Sequence, residues 1–138
     1  MRRHPGVLTA GVALIAGVLL ASCSSDTPAE NTEQACAHAE ELSAALASLN
    51  ETLTGDGTVD DVKSARSEVA TAYDALDGAL DDVAQDRLDA VEDAWDRLDD
   101  AIEQVDGDAT LSQAADSLRD DVAAVQDARE SLVTELGC

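Results

Sequence analysis

Residues 59–83 read VDDVKSARSEVATAYDALDGALDDV, and the spacing of their apolar residues decides the fold class. Two sets of positions each recur every seven residues, and only Arg66 interrupts the second set. The first set is Val62, Val69, Leu76 and Val83, and the second is Val59, Tyr73 and Leu80. This repeat is typical of a helix that packs against partners in the manner of a coiled coil.

After Val83 the apolar pattern resumes one residue out of step, which indicates a phase slip. The resumed set is Leu88, Val91, Trp95, Leu98, Ile102 and Val105. Gly78 as a helix stop, and Asp82 with Gln85 as a new cap, favour a break between two helices. The lack of a proline, an asparagine or a second glycine favours one long helix that absorbs the slip. Both interpretations remain open from the sequence.

Upstream, apolar residues at helical spacing predict a first helix over residues 32–54. They are Leu42, Leu46, Leu49 and Leu53. Asn31 with Gln34 is a candidate cap at its start, and Gly55-Asp56-Gly57 is expected to end it. Thr58 is placed to cap the next helix.

Downstream, Asp106-Gly107-Asp108 predicts a turn, and Thr110 with Gln113 has the spacing of a capping box. The final helix is therefore expected to run from about Thr110 to about Leu136. Its apolar stripe is Leu111, Leu118, Val122, Val125, Leu132 and Leu136, with Ala114, Ala115 and Ala128 alongside.

The composition agrees with an all-α fold. Phenylalanine is absent, and Tyr73 and Trp95 are the only aromatic residues, so Leu, Val, Ile and Ala must build the core. Short turns make consecutive helices antiparallel. We predict an up-down-up-down antiparallel bundle of four helical segments, with the second and third either separate or fused.

The amino-terminal residues have the layout of a bacterial leader. Arg2 and Arg3 precede an apolar stretch, residues 7–20, that is too short and too glycine-rich for a permanent membrane span. It ends in Leu20-Ala21-Ser22-Cys23, which resembles the lipobox of bacterial lipoproteins. The resemblance implies cleavage between Ser22 and Cys23 and lipidation of Cys23.

An ordinary secretory leader is the alternative to a lipobox, and it would leave an unpaired exported cysteine. The arginine pair also suits the twin-arginine route, although the usual flanking residues are missing and general secretion is the simpler interpretation. With lipidation, the protein is expected on the outer face of the cell membrane, held by two acyl chains.

These features predict three regions. Residues 1–22 form the lipoprotein signal peptide, residues 23–30 the lipidated cysteine and a flexible tether, and residues 31–138 the acidic helical bundle. The tether is predicted because Ser24 to Glu30 are mostly small and polar and include a proline. The 116 residues that follow residue 22 leave room for one small domain.

Two further cysteines in an oxidising location predict a disulfide between Cys36 and Cys138. In the predicted bundle these residues lie where the first and last helices meet. The alternative is a metal site formed by Cys36, His38 and Cys138, which would offer only three soft ligands.

The formal net charge of −22 argues against nucleic-acid binding, which requires a basic surface. Four Asp-Asp doublets, at residues 60–61, 81–82, 99–100 and 120–121, are better explained as solvated helix faces and caps, because adjacent residues do not share a helix face. Asp56, Thr58 and Asp60 resemble the start of a calcium loop but lack its glycine and distal glutamate.

No catalytic, metal or cofactor motif is found. His38 is the one histidine after the leader, and it has no defined nucleophile beside it in the sequence. The chain as a whole resembles small uncharacterised Ala/Asp-rich helical lipoproteins of high-GC Gram-positive bacteria, a group that carries no activity to transfer. We therefore expect a non-enzymatic structural or protein-interaction lipoprotein with a possible envelope protein partner, and keep an extracytoplasmic solute- or cation-binding lipoprotein as the alternative.

Overall fold

The computed structural model describes residues 27–81 and 85–138, so the leader and the lipobox cysteine lie outside the described residues. Within the described residues the chain forms four α-helices and contains no β-strand. The helices are α1 (Pro28–Thr54), α2 (Val59–Leu80), α3 (Asp89–Glu103) and α4 (Leu111–Leu136), and a short 3-10 helix, Gln85–Arg87, precedes α3. The prediction of an all-α fold is confirmed.

The four helices pack as an antiparallel bundle. α1 packs against α2 and α4, and α3 packs mainly against α4. Cys36 near the start of α1 meets Cys138 just past the end of α4, so these two helices run in opposite directions. Arg66 meets Asp99 and Tyr73 meets Trp95, which gives the same antiparallel relation for α2 and α3.

The apolar stripes that the sequence predicts form one continuous core. The stripe of α1, from Leu42 to Leu53, is buried, and most members of the other stripes join it. Val105, Leu111 and Leu136 pack at its edge, and Val83 lies outside the described residues. No polar or charged residue of the described part is buried. None of the described helices combines the length and the hydropathy that a membrane span requires.

The first helix begins earlier than predicted, at Pro28 rather than near Thr32. Its cap is Thr27, whose hydroxyl accepts from the Glu30 backbone N–H while the Glu30 carboxylate accepts from the Thr27 backbone N–H. Proline at the first helical position also favours this helix start. The backbone N–H at that position has no partner within the helix, and proline has no such N–H. The predicted cap at Asn31 is therefore wrong, and residues 28–30 belong to a helix instead of a tether.

The capping predictions for α2 and α4 are confirmed. Thr58 and Asp61 form a reciprocal capping box at the start of α2, and Thr110 and Gln113 form one at the start of α4. Gly55 ends α1 as predicted. These caps satisfy backbone N–H groups that a helix start otherwise leaves unpaired.

The middle of the chain is broken into two helices, which decides between the two interpretations. The position of the break differs from the prediction, because α2 continues through Gly78 to Leu80. α3 begins at Asp89, and its N-cap residue Leu88 makes no side-chain capping hydrogen bond. The other predicted cap residue, Asp82, lies outside the described residues.

Candidate functional site

One end of the bundle brings together the start of α1 and the end of α4. The sulfur atoms of Cys36 and Cys138 lie at bonding distance, with 5.9 Å between their Cα atoms, which agrees with the predicted pair. Gly137, in a left-handed conformation with φ 78°, ends α4 just before Cys138. The disulfide thus joins the last residue of the chain to the third turn of α1.

The first turns of α1 extend beyond the core as a stalk, which we define as residues 28–34. The first buried residue of α1 is Ala35, and every residue of the stalk is exposed or half-buried. The stalk is nevertheless helical and capped by Thr27. The chain that leads to the bundle is therefore more ordered, from Pro28 onward, than the predicted tether.

The structure does not assemble the alternative metal site. Both sulfur atoms of Cys36 and Cys138 are used by the bond to each other, so neither is a thiolate ligand. The Nδ1 atom of His38 lies 2.8 Å from Oε2 of Glu41, one turn further along an exposed face of α1. Across residues 27–81 and 85–138, no group of three or more His, Cys, Asp or Glu side chains is placed to hold a metal ion.

The Asp-Asp doublets at residues 60–61 and 99–100 contribute to the fold through Asp61 and Asp99. Asp61 closes the capping box of α2, and hydrogen bonds from the backbone N–H and the hydroxyl of Thr58 lower the pKa of its carboxyl group. Asp99 pairs with Arg66. Since Thr58 is committed to this cap, the faint calcium-loop pattern at Asp56, Thr58 and Asp60 is explained by helix capping.

The α2–α3 seam, defined by Arg66 and Tyr73 on α2 and by Trp95 and Asp99 on α3, carries the most elaborate polar contacts of the described residues. The Arg66 guanidinium donates from Nε and Nη2 to the two carboxylate oxygens of Asp99, and Nη2 also donates to Oε1 of Glu103 at 2.9 Å. This pairing raises the pKa of Arg66, the hydrogen bond to Asp99 being the largest cause. Arg66 therefore stays charged at the position where it interrupts the apolar repeat.

Two aromatic rings stack in the same seam, two helical turns after Arg66 on α2. The ring centroids of Tyr73 and Trp95 lie 6.1 Å apart with an angle of 24° between the ring planes. Trp95 is buried and Tyr73 is half-buried. Burial, followed by nearby carboxylates, raises the pKa of the Tyr73 phenol, so the hydroxyl stays protonated at neutral pH and offers no base.

A shallow groove lies on another side of α2, between α2 and α1. Small side chains line it, with Glu41 and Glu68 among the lining residues. The small lining residues are Ala44, Ala45, Ser48, Ser67, Thr71, Ala72 and Ala75. The groove is open to solvent, so it lacks the enclosure of a small-molecule site.

Sequence reasoning missed the partners of Arg66, although it identified Arg66 as an exception. Asp99 lies 33 residues away and belongs to an Asp-Asp doublet that resembles the other three Asp-Asp doublets. Comparison of the chain with protein-family models, curated proteins and solved structures finds no match.

Proposed function

We propose that this protein is a non-enzymatic lipoprotein of the bacterial cell envelope, in which a disulfide-linked helical bundle acts as a spacer or docks a protein partner. The observation that carries the proposal is the lipobox-like Leu20-Ala21-Ser22-Cys23 directly ahead of a capped helical stalk. Lipid on Cys23 would hold the bundle at the outer face of the membrane by its disulfide end.

The dimensions of the chain support a spacer. Only Ser24 to Thr27 separate Cys23 from α1, and four or five residues span at most about 18 Å when extended. The 27 residues of α1 rise by 1.5 Å each, which gives a rod of about 40 Å. The two turns at the far end, after Thr54 and after Glu103, would therefore stand tens of ångströms from an anchor at Cys23.

The histidine and the two cysteines of the described residues are engaged in contacts with other side chains, which favours a non-enzymatic role. His38 pairs with Glu41 on an exposed helix face, and the Cys36 and Cys138 sulfurs are bonded to each other. An activity such as hydrolysis or group transfer that disappears on replacing a single residue would overturn this part of the proposal.

The anchor is tested by intact mass spectrometry of the protein purified from its native membrane, with and without reduction and alkylation. We expect the mass of residues 23–138 plus acyl chains, and alkylation of Cys36 and Cys138 only after reduction. An unlipidated mass would contradict the anchor, and alkylation without reduction would contradict the disulfide.

Two single-cysteine variants make this test specific. Cys23→Ala is expected to lose the acyl chains and leave the membrane fraction, because no lipid then holds the domain. Cys138→Ser removes a cysteine as well but is expected to stay lipidated and membrane-bound. Retention of Cys23→Ala in the membrane fraction, or release of both variants, would overturn the proposal.

A thermal melt separates this proposal from cation capture. We expect the midpoint of the native protein to be the same with and without millimolar calcium, magnesium or zinc. A rise of several degrees at micromolar metal would instead favour a cation-binding lipoprotein, because a ligand that binds only the folded state stabilises it.

A further inference from the structure

The four sides of the bundle are not packed equally. The backbones of α2 and α3 approach each other at far fewer positions than those of α1 and α2, α3 and α4, or α1 and α4. The α1–α4 side also carries the covalent link between Cys36 and Cys138. The α2–α3 side is therefore the least tightly held boundary of the core.

Besides the shared apolar core, two side-chain contacts between described residues of α2 and α3 bridge this side. One is the stacked pair Tyr73–Trp95, and the other is Arg66 with Asp99 and Glu103. The side chains of Arg66 and Asp99 are 32% and 26% exposed, so water competes for their hydrogen bonds. Neither contact is part of a helix backbone, so loss of both would leave the hydrogen bonds within α2 and α3 intact.

Charge opposes closure of the same seam. Carboxylates from both helices lie close enough to the Tyr73 phenol to affect it electrostatically: Asp74 and Asp77 from α2, and Glu92 and Asp96 from α3. Like charges on facing helices repel, and salt weakens that repulsion. Arg66, two turns away along α2, pairs with two further carboxylates of α3, Asp99 and Glu103, and so attracts the two helices to each other.

We propose that the bundle opens along the α2–α3 seam while its helices stay folded, with Arg66 as the latch and the disulfide-linked α1–α4 side as the hinge. Opening would expose core residues of both helices, among them Val69 and Leu98, which are fully buried in the closed bundle. This inference does not depend on the lipid anchor.

The chain contains its own reporter, because Trp95 is its only tryptophan and lies in the seam. The test compares Arg66→Glu with Lys63→Glu, which makes the same change in charge at an exposed position one turn earlier on α2. Both variants are studied with the disulfide intact. Quenching of Trp95 fluorescence by acrylamide measures access to the seam, and far-ultraviolet circular dichroism measures helix content.

We expect Arg66→Glu to raise the quenching constant of Trp95 by about threefold or more with little loss of helical signal, since the open population grows while the helices persist. Lys63→Glu should leave quenching close to that of the native protein. Equal quenching in Arg66→Glu and the native protein, an equal rise in both variants, or a rise that accompanies loss of helix would overturn the proposal.

The native protein supplies a second test that needs no variant to fold. In a urea titration, Trp95 quenching is expected to rise at concentrations below those at which the helical signal falls. Added sodium chloride, without urea, should lower the quenching constant, because it screens the carboxylates that oppose closure. Coincident urea transitions would show that the seam opens only when the whole bundle unfolds, and would refute the latch.

Discussion

The side of α2 that faces α1 and the side that faces α3 are packed differently, although residues of the two sides are neighbours in the sequence. Towards α1, the helix presents Ala65 and Ala72, and the two backbones approach closely along most of their length. Towards α3, the next residue in each case is large, Arg66 or Tyr73, and the helices stand further apart.

This difference shows how one helix sets two spacings. Consecutive residues on a helix point about 100° apart, so a repeated pair of a small and a large residue supplies a tight face and a wide face at once. The tight interface is stabilised by dispersion contacts along the backbones, whereas the wide seam depends on a few large side chains.

Removing the disulfide should have the largest effect on stability, because the α1–α4 side of the bundle would lose its covalent link. We expect Cys36→Ser with Cys138→Ser to lower the free energy of unfolding by about 3–4 kcal/mol, below the ~4.7 kcal/mol limit that chain entropy sets for a loop of this size. Denaturant unfolding measures the loss. A reductant should lower the stability of the native protein to a similar value and leave the variant unchanged; an equal response of both would contradict the assignment.

Enlarging an alanine should damage the tight interface. Ala72→Leu is expected to cost about 1–3 kcal/mol of unfolding free energy, since α1 must move away to admit the larger side chain. The control is Ala47→Leu, an exposed position on α1 that should change stability by less than about 0.5 kcal/mol. A smaller effect at Ala72 than at Ala47 would mean that the helices are not in close contact.

The turn that leads into the tight interface should also be sensitive. A Cβ atom at residue 57 would lie 3.1 Å from both Cγ2 and the backbone oxygen of Thr52, whereas a Cβ at Gly107, in the turn before α4, meets nothing within 4 Å. We expect Gly57→Ala to destabilise the protein by about 1 kcal/mol and Gly107→Ala to be close to neutral or slightly stabilising. Thermal unfolding of both variants checks this; a larger loss at Gly107 would contradict the assigned geometry.

The smallest effect is expected at Gly78, within α2 but outside both of its packed faces. The residue is exposed and helical, and a Cβ there meets no atom within 4 Å. Gly78→Ala should therefore stabilise the protein by about 0.5–1 kcal/mol, because alanine loses less backbone entropy in a helix. Denaturant unfolding measures the change, and a destabilised variant would indicate that α2 does not continue through residue 78.

The periodic features of the fold were predictable from sequence. The apolar stripes, the turns at residues 55–57 and 106–108, and the caps Thr58 and Thr110 depend on residues close together in the chain. The same local logic should have found Thr27, since Thr27-Pro28-Ala29-Glu30 contains both a capping box and a proline at the first helical position. Its polar, proline-containing composition indicated a tether instead, and that interpretation was wrong for residues 28–30.

Long-range features were predictable only where few choices existed. Two cysteines outside the lipobox allow one pairing, so Cys36 and Cys138 could be matched by sequence alone. The sequence contains 30 acidic residues with which Arg66 could pair, and no local pattern distinguishes Asp99 or Glu103 among them. The sequence also did not decide whether the helix breaks after α2, because no strong helix stop marks the break.

Periodicity, helix propensity and capping act over a few residues, so the helical class, the composition of the core and most helix ends follow from local sequence. Which sides of the bundle are tight, and which residues hold the looser side, depends on the tertiary structure. The spacing between helices depends on side chains that meet from distant parts of the chain, as Arg66 meets Asp99 and Tyr73 meets Trp95. Such spacing is fixed when the core packs, and no stretch of local sequence contains it.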